Sequence, residues 1–127
     1  MDKNDINDER KWSRFVEKLH ADTLQRRIEW QDITNHVERD NLDGPVFLAQ
    51  ILPEKYVVVY QYRYQYWTDE DQFFWETETA IELADAGGQC LWRLPGVRGR
   101  AALLDAVCYV VSDAEDTFNE YLGQDGT

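Results

Sequence analysis

The spacing of apolar positions changes period twice along the chain. Between residues 7 and 24, Trp12, Phe15, Val16, Leu19, Thr23 and Leu24 recur at helical intervals. That spacing predicts an amphipathic helix with Asn7 or Asp8 as its N-cap. Ile28, Trp30 and Ile33 then alternate with polar residues, as in a short strand or extended arm. Residues 34–44 are polar and read as a mobile loop. From Val46 the period becomes two. Residues 46–52, 55–67, 73–84 and 89–94 predict four strands, joined at Pro53-Glu54, at the acidic turn of residues 68–72 and at Asp85-Ala86-Gly87-Gly88. In the longest strand Tyr56, Val58, Tyr60, Tyr62, Tyr64 and Tyr66 share one face. Val57, Val59, Gln61, Arg63, Gln65 and Trp67 share the other. After the break at residues 95–99 the helical period returns. Leu104, Val107, Cys108, Val111, Ala114, Phe118 and Leu122 predict one long helix over residues 100–122, with Gly123 as its C′ residue.

These elements predict an α+β fold. A four- to five-stranded antiparallel meander carries one apolar side, covered by an N-terminal and a C-terminal amphipathic helix. No helix separates consecutive strands, which excludes a parallel sheet. The 127 residues make one domain, with residues 1–6 and 124–127 frayed.

The opening Phe15-x3-Leu19-x3-Thr23-x4-Ile28-x-Trp30 resembles the start of small uncharacterised bacterial and phage proteins. In those a helix ending in Thr leads into an Ile-x-Trp strand, a meander and a C-terminal helix. The resemblance implies that order of elements and a bacterial or phage origin. It brings no activity and no site residue. Arg26-Arg27 stands where the pattern has a Gly before Ile-x-Trp.

Charge sharpens the picture. The formal net charge is −12, from 25 acidic and 13 basic residues. Residues 1–63 are almost balanced, at net −2. Residues 64–92 hold Asp69, Glu70, Asp71, Glu76, Glu78, Glu82 and Asp85 with no Lys or Arg. Residues 101–127 hold six further acids and no base. Between these acidic stretches stand Arg93, Arg98 and Arg100. The sign of the charge argues against direct contact with nucleic acid and against an anionic membrane surface. Two cysteines are too few for a disulfide framework, residues 1–14 lack the apolar core of a signal peptide, and no stretch is long enough to span a membrane. The expected setting is the cytoplasm.

Candidate chemistry is sparse. His20, His36, Cys90 and Cys108 do not fall at zinc-site spacings, so no metal and no cofactor is expected. Asp69-Glu70-Asp71 lacks the pattern of a calcium loop. Cys108 lies on the predicted core face of the last helix and reads as an inert thiol, while alternation leaves the face of Cys90 undecided. No Gly-x-Ser-x-Gly elbow occurs. Glu76, Glu78 and Glu82 share a strand face, as paired acid–base carboxylates or, more simply, as the solvent face of an amphipathic strand.

Two functional classes follow. The first is a non-enzymatic interaction protein: an adaptor, inhibitor, or immunity or anti-defence type. It would bind a basic surface of a protein partner through Tyr62, Arg63, Tyr64, Tyr66 and Trp67 with Asp69, Glu70, Asp71, Glu76, Glu78 and Glu82. Carboxylates standing in for phosphates in a nucleic-acid-binding groove are a special case. The same tyrosine stripe also fits a half-wet sheet face with no partner. The second class is a small ligand-binding or enzymatic domain. It would hold a phosphate or nucleotide at Arg93, Arg98 and Arg100, where the strand leads into a helix N-terminus. A homo-oligomer paired through a sheet edge is a further reading.

Overall fold

A computed structural model describes residues 8–124. The element order is α1 (Glu9–Leu24), β1 (Trp30–Asp32), a single 3₁₀ turn (Thr34–His36), β2 (Leu42–Leu52), β3 (Lys55–Asp69), β4 (Gln72–Ala84), β5 (Cys90–Arg93), α2 (Arg100–Val111) and α3 (Ala114–Gly123). The fold is α+β. The strands form one antiparallel sheet in chain order, β1-β2-β3-β4-β5.

Asp8 caps α1, its carboxylate accepting from the backbone N–H groups of Arg10 and Lys11 at 3.1 Å each. Asn7, the other expected cap, and the fraying expected at residues 1–6 and 125–127 lie outside the described residues. Gln124 directly follows α3 and donates its backbone N–H to Tyr121 O at 3.2 Å. Trp12, Val16, Leu19 and Thr23 form the buried stripe of α1, whereas Leu24 at its last position is exposed. Thr23 explains the spacing of the opening motif. Its hydroxyl donates to Leu19 O at 2.6 Å and accepts the Trp30 indole N–H at 3.1 Å, so helix and first strand are tied inside the core. Arg26, in the turn where the resembling pattern has a Gly, takes a left-handed φ of 59°.

The sheet is buried on both sides through its middle, not on one side as expected. Phe47, Val57, Val59 and Ile81 face the helices and pack with Trp12, Val16, Leu103 and Val107. Val46, Leu48, Val58, Tyr60 and Ala80 face the other way and pack with Ile33. Three consecutive valines, Val57 to Val59, are therefore fully buried. Burial of such a side chain is worth about 1.5–3 kcal/mol.

The cover on the second face is the segment expected to be a mobile loop. It is anchored. Thr34 caps onto Asp32, donating its N–H at 2.9 Å and also its hydroxyl, which holds the Asp32 carboxyl below its ordinary pKa. The Thr34 hydroxyl also accepts from Val46 N at 3.0 Å. Ile33 and Val37 lie so close to Gly88 that a Cβ there would stand 2.6 Å from Ile33 Cδ1. Gly88 has φ +86°, and it is the only residue of the Asp85–Gly88 turn in the left-handed region. Leu42 to Gly44, expected in the loop, belong to β2. Leu42 pairs with Tyr62, and a bulge precedes Val46, with φ +124° at Gly44.

The expected single C-terminal helix is two helices. Asp113 adopts φ 53°, ψ 39°, and its carbonyl starts a new helix by accepting from Thr117 N at 2.9 Å. Asp tolerates the left-handed region, and Glu115 and Asp116 suit the positive pole of a new helix. The break turns α3 away from the sheet, so Phe118 and Leu122 are exposed and the core contacts of this region come from Leu103, Leu104, Ala106 and Val107. Gly123 is the last residue of α3, not a left-handed C′ residue.

Candidate functional site

Strands β3 and β4 outrun their neighbours. β2 pairs with β3 only as far as Tyr62, and β5 pairs with β4 only at residues 82–84. Beyond that point the two central strands continue in register from Tyr62↔Glu78 to Trp67↔Phe73 as a two-stranded arm. Alternation places Arg63, Gln65, Trp67, Phe73, Trp75 and Thr77 on the helix-side face. Tyr62, Tyr64, Tyr66, Phe74, Glu76 and Glu78 lie on the opposite face.

Neither face of the arm is covered. Phe74 is 61% exposed, Tyr66 and Trp67 53% each, Trp75 49% and Phe73 38%. The helix-side aromatics hold one another. Trp67 and Phe73 lie 4.8 Å apart, Phe73 and Trp75 meet edge-on at 5.8 Å, and the Arg63 guanidinium sits 5.0 Å from the centre of the Trp75 ring. On the opposite face Tyr60, Tyr62 and Tyr64 form a ladder with 6.3 Å between successive rings, and Tyr62 donates to Glu78 at 2.8 Å. Partial burial and the neighbouring Glu78 raise the Tyr62 pKa, and the same two causes, with Glu76, raise that of Tyr64. The Tyr62 phenol keeps its proton for the bond to Glu78. Asp69, Glu70 and Asp71 form the exposed tip.

Ten of the eleven residues expected at a partner surface thus fall on this arm. Glu82 does not. It is 2% exposed, at the arm's base, and accepts from Arg39 at 2.9 Å and from the Tyr60 hydroxyl at 2.6 Å. Arg93 stands 3.5 Å from the same carboxylate and also donates to the Tyr60 hydroxyl. Arg39 reaches Gly88 O at 2.6 Å as well. This cluster bolts the covering segment to β4 and β5. Burial, then the bond to Glu82, pushes the Tyr60 pKa up to about 12. The requirement for a hydroxyl inside the core explains tyrosine at this position.

Phe73, Phe74 and Trp75 were not among the expected site residues. Their signal was present in the sequence: in a strand, three consecutive aromatics cannot all face one core.

Of the arginines of the other reading, Arg98 and Arg100 line one groove and Arg93 stands apart. Arg93 belongs to the Glu82 cluster, with its guanidinium 5.0 Å from the Tyr62 ring centre. Arg100 is spent on the backbone: it donates to Val97 O at 3.1 Å and Thr79 O at 2.9 Å, and lies 3.8 Å from Glu78. Arg98 is exposed and lines a surface groove of about 740 Å³ together with Arg100 and with Arg10 and Arg14 of α1. Among the described residues no three His, Cys, Asp or Glu side chains form a metal-binding group. Cys90 is exposed and Cys108 packs against the core. Partial burial raises both thiol pKa values, helped by Glu82 at Cys90 and by Asp105 at Cys108, the direction opposite to an activated thiolate.

No family model, curated protein or solved structure matches the chain. Among the described residues no helix is long and apolar enough to cross a membrane.

Proposed function

We propose that the protein is a non-enzymatic interaction protein whose β3–β4 arm docks on a basic surface of a protein partner. The observation that carries this reading is the arm itself. Five large aromatics remain 38–61% exposed on a projecting ribbon. Its tip and outer face hold Asp69, Glu70, Asp71, Glu76 and Glu78, and Arg63 at its base is its only basic residue. Left in water, such a surface adds little to the fold beyond the contacts its rings make with one another. Seated in a groove, aromatic anchors supply affinity, and a carboxylate rim steers approach to lysines and arginines. Adaptor, inhibitor, and immunity or anti-defence roles all use such a surface. A second copy of the chain is a further candidate partner, at an unpaired strand edge.

The alternative, a phosphate or nucleotide at Arg93, Arg98 and Arg100, has less support because Arg93 is engaged at Glu82, away from the groove that Arg98 and Arg100 share, and Arg100 is bonded to two backbone carbonyls. Affinity capture from cells that express the chain natively tests the choice. The reading predicts a partner that is retained by the Arg98→Ala variant and lost with Trp67→Ser, Phe74→Ser and Trp75→Ser combined. Capture that ignores the arm, or thermal stabilisation by a nucleotide that Arg98→Ala removes, contradicts it.

A further inference from the structure

We propose that the partner supplies an extended segment of alternating basic and apolar residues, added as an antiparallel strand along the open edge of β4 at Phe73, Trp75 and Thr77. It rests on the docking role of the arm and specifies what docks. Three contacts fix which backbone groups of β4 point away from β3. Ile81 O accepts the Leu94 N–H at 2.8 Å, and Thr79 O accepts from the Arg100 guanidinium at 2.9 Å. Arg63, opposite Thr77, sends its own N–H away from β4 to Asn41 O at 2.9 Å. In a regular antiparallel ladder alternate residues direct N–H and C=O to the same side. The register is unbroken from Tyr56↔Ala84 to Trp67↔Phe73. Phe73, Trp75 and Thr77 therefore point N–H and C=O outward, as Thr79 and Ile81 do. β5 pairs with β4 only at residues 82–84, and among the described residues no other strand lies along this edge. Residues 72–77 are all exposed.

The side chains along this edge select the occupant. Phe74, Glu76 and Glu78 lie on one face, and Phe73, Trp75 and Thr77 on the other. Glu78 already accepts from Tyr62 at 2.8 Å and lies 3.8 Å from Arg100. The Glu76 carboxylate has no partner among the described residues. A strand laid here sets alternate side chains beside Phe74 and Glu76, and the intervening ones beside Phe73 and Trp75. Lysine or arginine fits the first set, with its aliphatic stem on Phe74 and its charge at Glu76. An apolar residue fits the second. A second copy of the chain does not fit this edge. It would bring its own Glu76 and Glu78 to the adjacent strand, and residues 64–92 contain no base. The glutamates thus guard the edge against self-pairing and admit a basic strand. The β3 edge of the arm makes no such selection, because residues 63–68 contain no acid and begin with Arg63. Main-chain bonds to an added strand supply affinity, and its alternate side chains supply specificity.

The test titrates the full chain with an end-capped peptide of about eight residues that alternates Lys and Val, at about 0.15 M salt. With the lysines on the Glu76 face, the valines lie opposite Phe73, Trp75 and Thr77 and carry the backbone groups that bond to them. Methylating the valine backbone nitrogens is expected to weaken binding at least roughly tenfold. Methylating the lysine backbone nitrogens is expected to leave it largely unchanged. The attraction of a chain of net charge −12 for a cation is the same for both peptides. With the parent peptide at about ten times its Kd, amide exchange followed by NMR is expected to slow roughly tenfold at Phe73, Trp75 and Thr77. Phe74 and Glu76, whose N–H groups face β3, are expected to change little. Glu76→Gln is expected to weaken the parent peptide about two- to fivefold. Equal binding by the two methylated peptides, lost in the variant combining Trp67→Ser, Phe74→Ser and Trp75→Ser, would overturn strand addition and leave the docking role standing. No binding of the parent peptide, loss on methylating the lysines alone, or slowed exchange at Gln65 and Trp67 in place of β4 would also overturn it. The docking role itself falls only with a captured partner that ignores the arm.

Discussion

Replacing Glu82 by Gln keeps the volume of the side chain and removes its charge. The cost can be worked from the cluster around it. Arg93 is half exposed and can turn to water, so its loss counts for little. Arg39 cannot, because its side chain is 11% exposed and its only carboxylate partner among the described residues is Glu82, at 2.9 Å. Gly88 O remains as an acceptor but carries no full charge. Removing one partner of a buried ion pair costs about 3–5 kcal/mol. A domain of this size has about 5–15 kcal/mol in all, so Glu82→Gln leaves a marginal fold. Urea unfolding followed by far-ultraviolet circular dichroism measures the difference, with an unchanged denaturant slope as the sign that the end states are comparable. The double variant Glu82→Leu with Arg39→Met recovers much of the loss, because an apolar pair has no stranded charge. A loss below about 1 kcal/mol in Glu82→Gln would refute the claim that this carboxylate holds the covering segment to the sheet.

Three further outcomes follow from the same packing. Thr23→Val strands the buried Trp30 indole N–H and lowers stability by about 1–3 kcal/mol in the same assay. Gly88→Ala meets both a left-handed φ and Ile33 Cδ1 at 2.6 Å, and costs at least about 1–3 kcal/mol, read as a fall in melting temperature. Tyr60 binds its proton more tightly folded than unfolded, so its contribution is complete below pH 10 and disappears as the pH rises toward about 12; stability measured across that range falls, and falls less steeply in Tyr60→Phe.

The elements were legible wherever one period dominated. α1, the three long strands and the helix after Arg100 all follow from alternation or helical spacing, because a half-buried surface leaves that mark. Three features were not legible, each for a physical reason. Residues 34–44 look like a loop because their anchors are single side chains, Ile33, Val37 and Arg39, reaching across the chain rather than a repeating stripe. The turn at Asp113 is hidden because apolar residues on both sides keep helical spacing, and only the left-handed φ of one residue separates the helices. Glu82 reads as a solvated strand residue because its partners, Arg39 and Tyr60, lie 43 and 22 positions away. The arm was half legible. The tyrosine stripe on β3 was evident, but its extension past the neighbouring strands depends on where β2 and β5 stop, and no local pattern in β3 records that.

The central claim is that the exposed aromatics of the arm serve binding and not folding. It is tested most directly by titrating wild-type chain, and the variant combining Trp67→Ser, Phe74→Ser and Trp75→Ser, against the captured partner at two salt concentrations, with melting curves on the same samples. Exposed residues outside the core change stability by about 0.5 kcal/mol or less each, while buried aromatic anchors of an interface cost about 2 kcal/mol or more each on truncation. The account predicts a variant that melts within a few degrees of wild type and binds at least roughly 100-fold more weakly. It also predicts that wild-type affinity falls as salt rises. A variant that binds as wild type does, or one that loses binding only because it has unfolded, would contradict it.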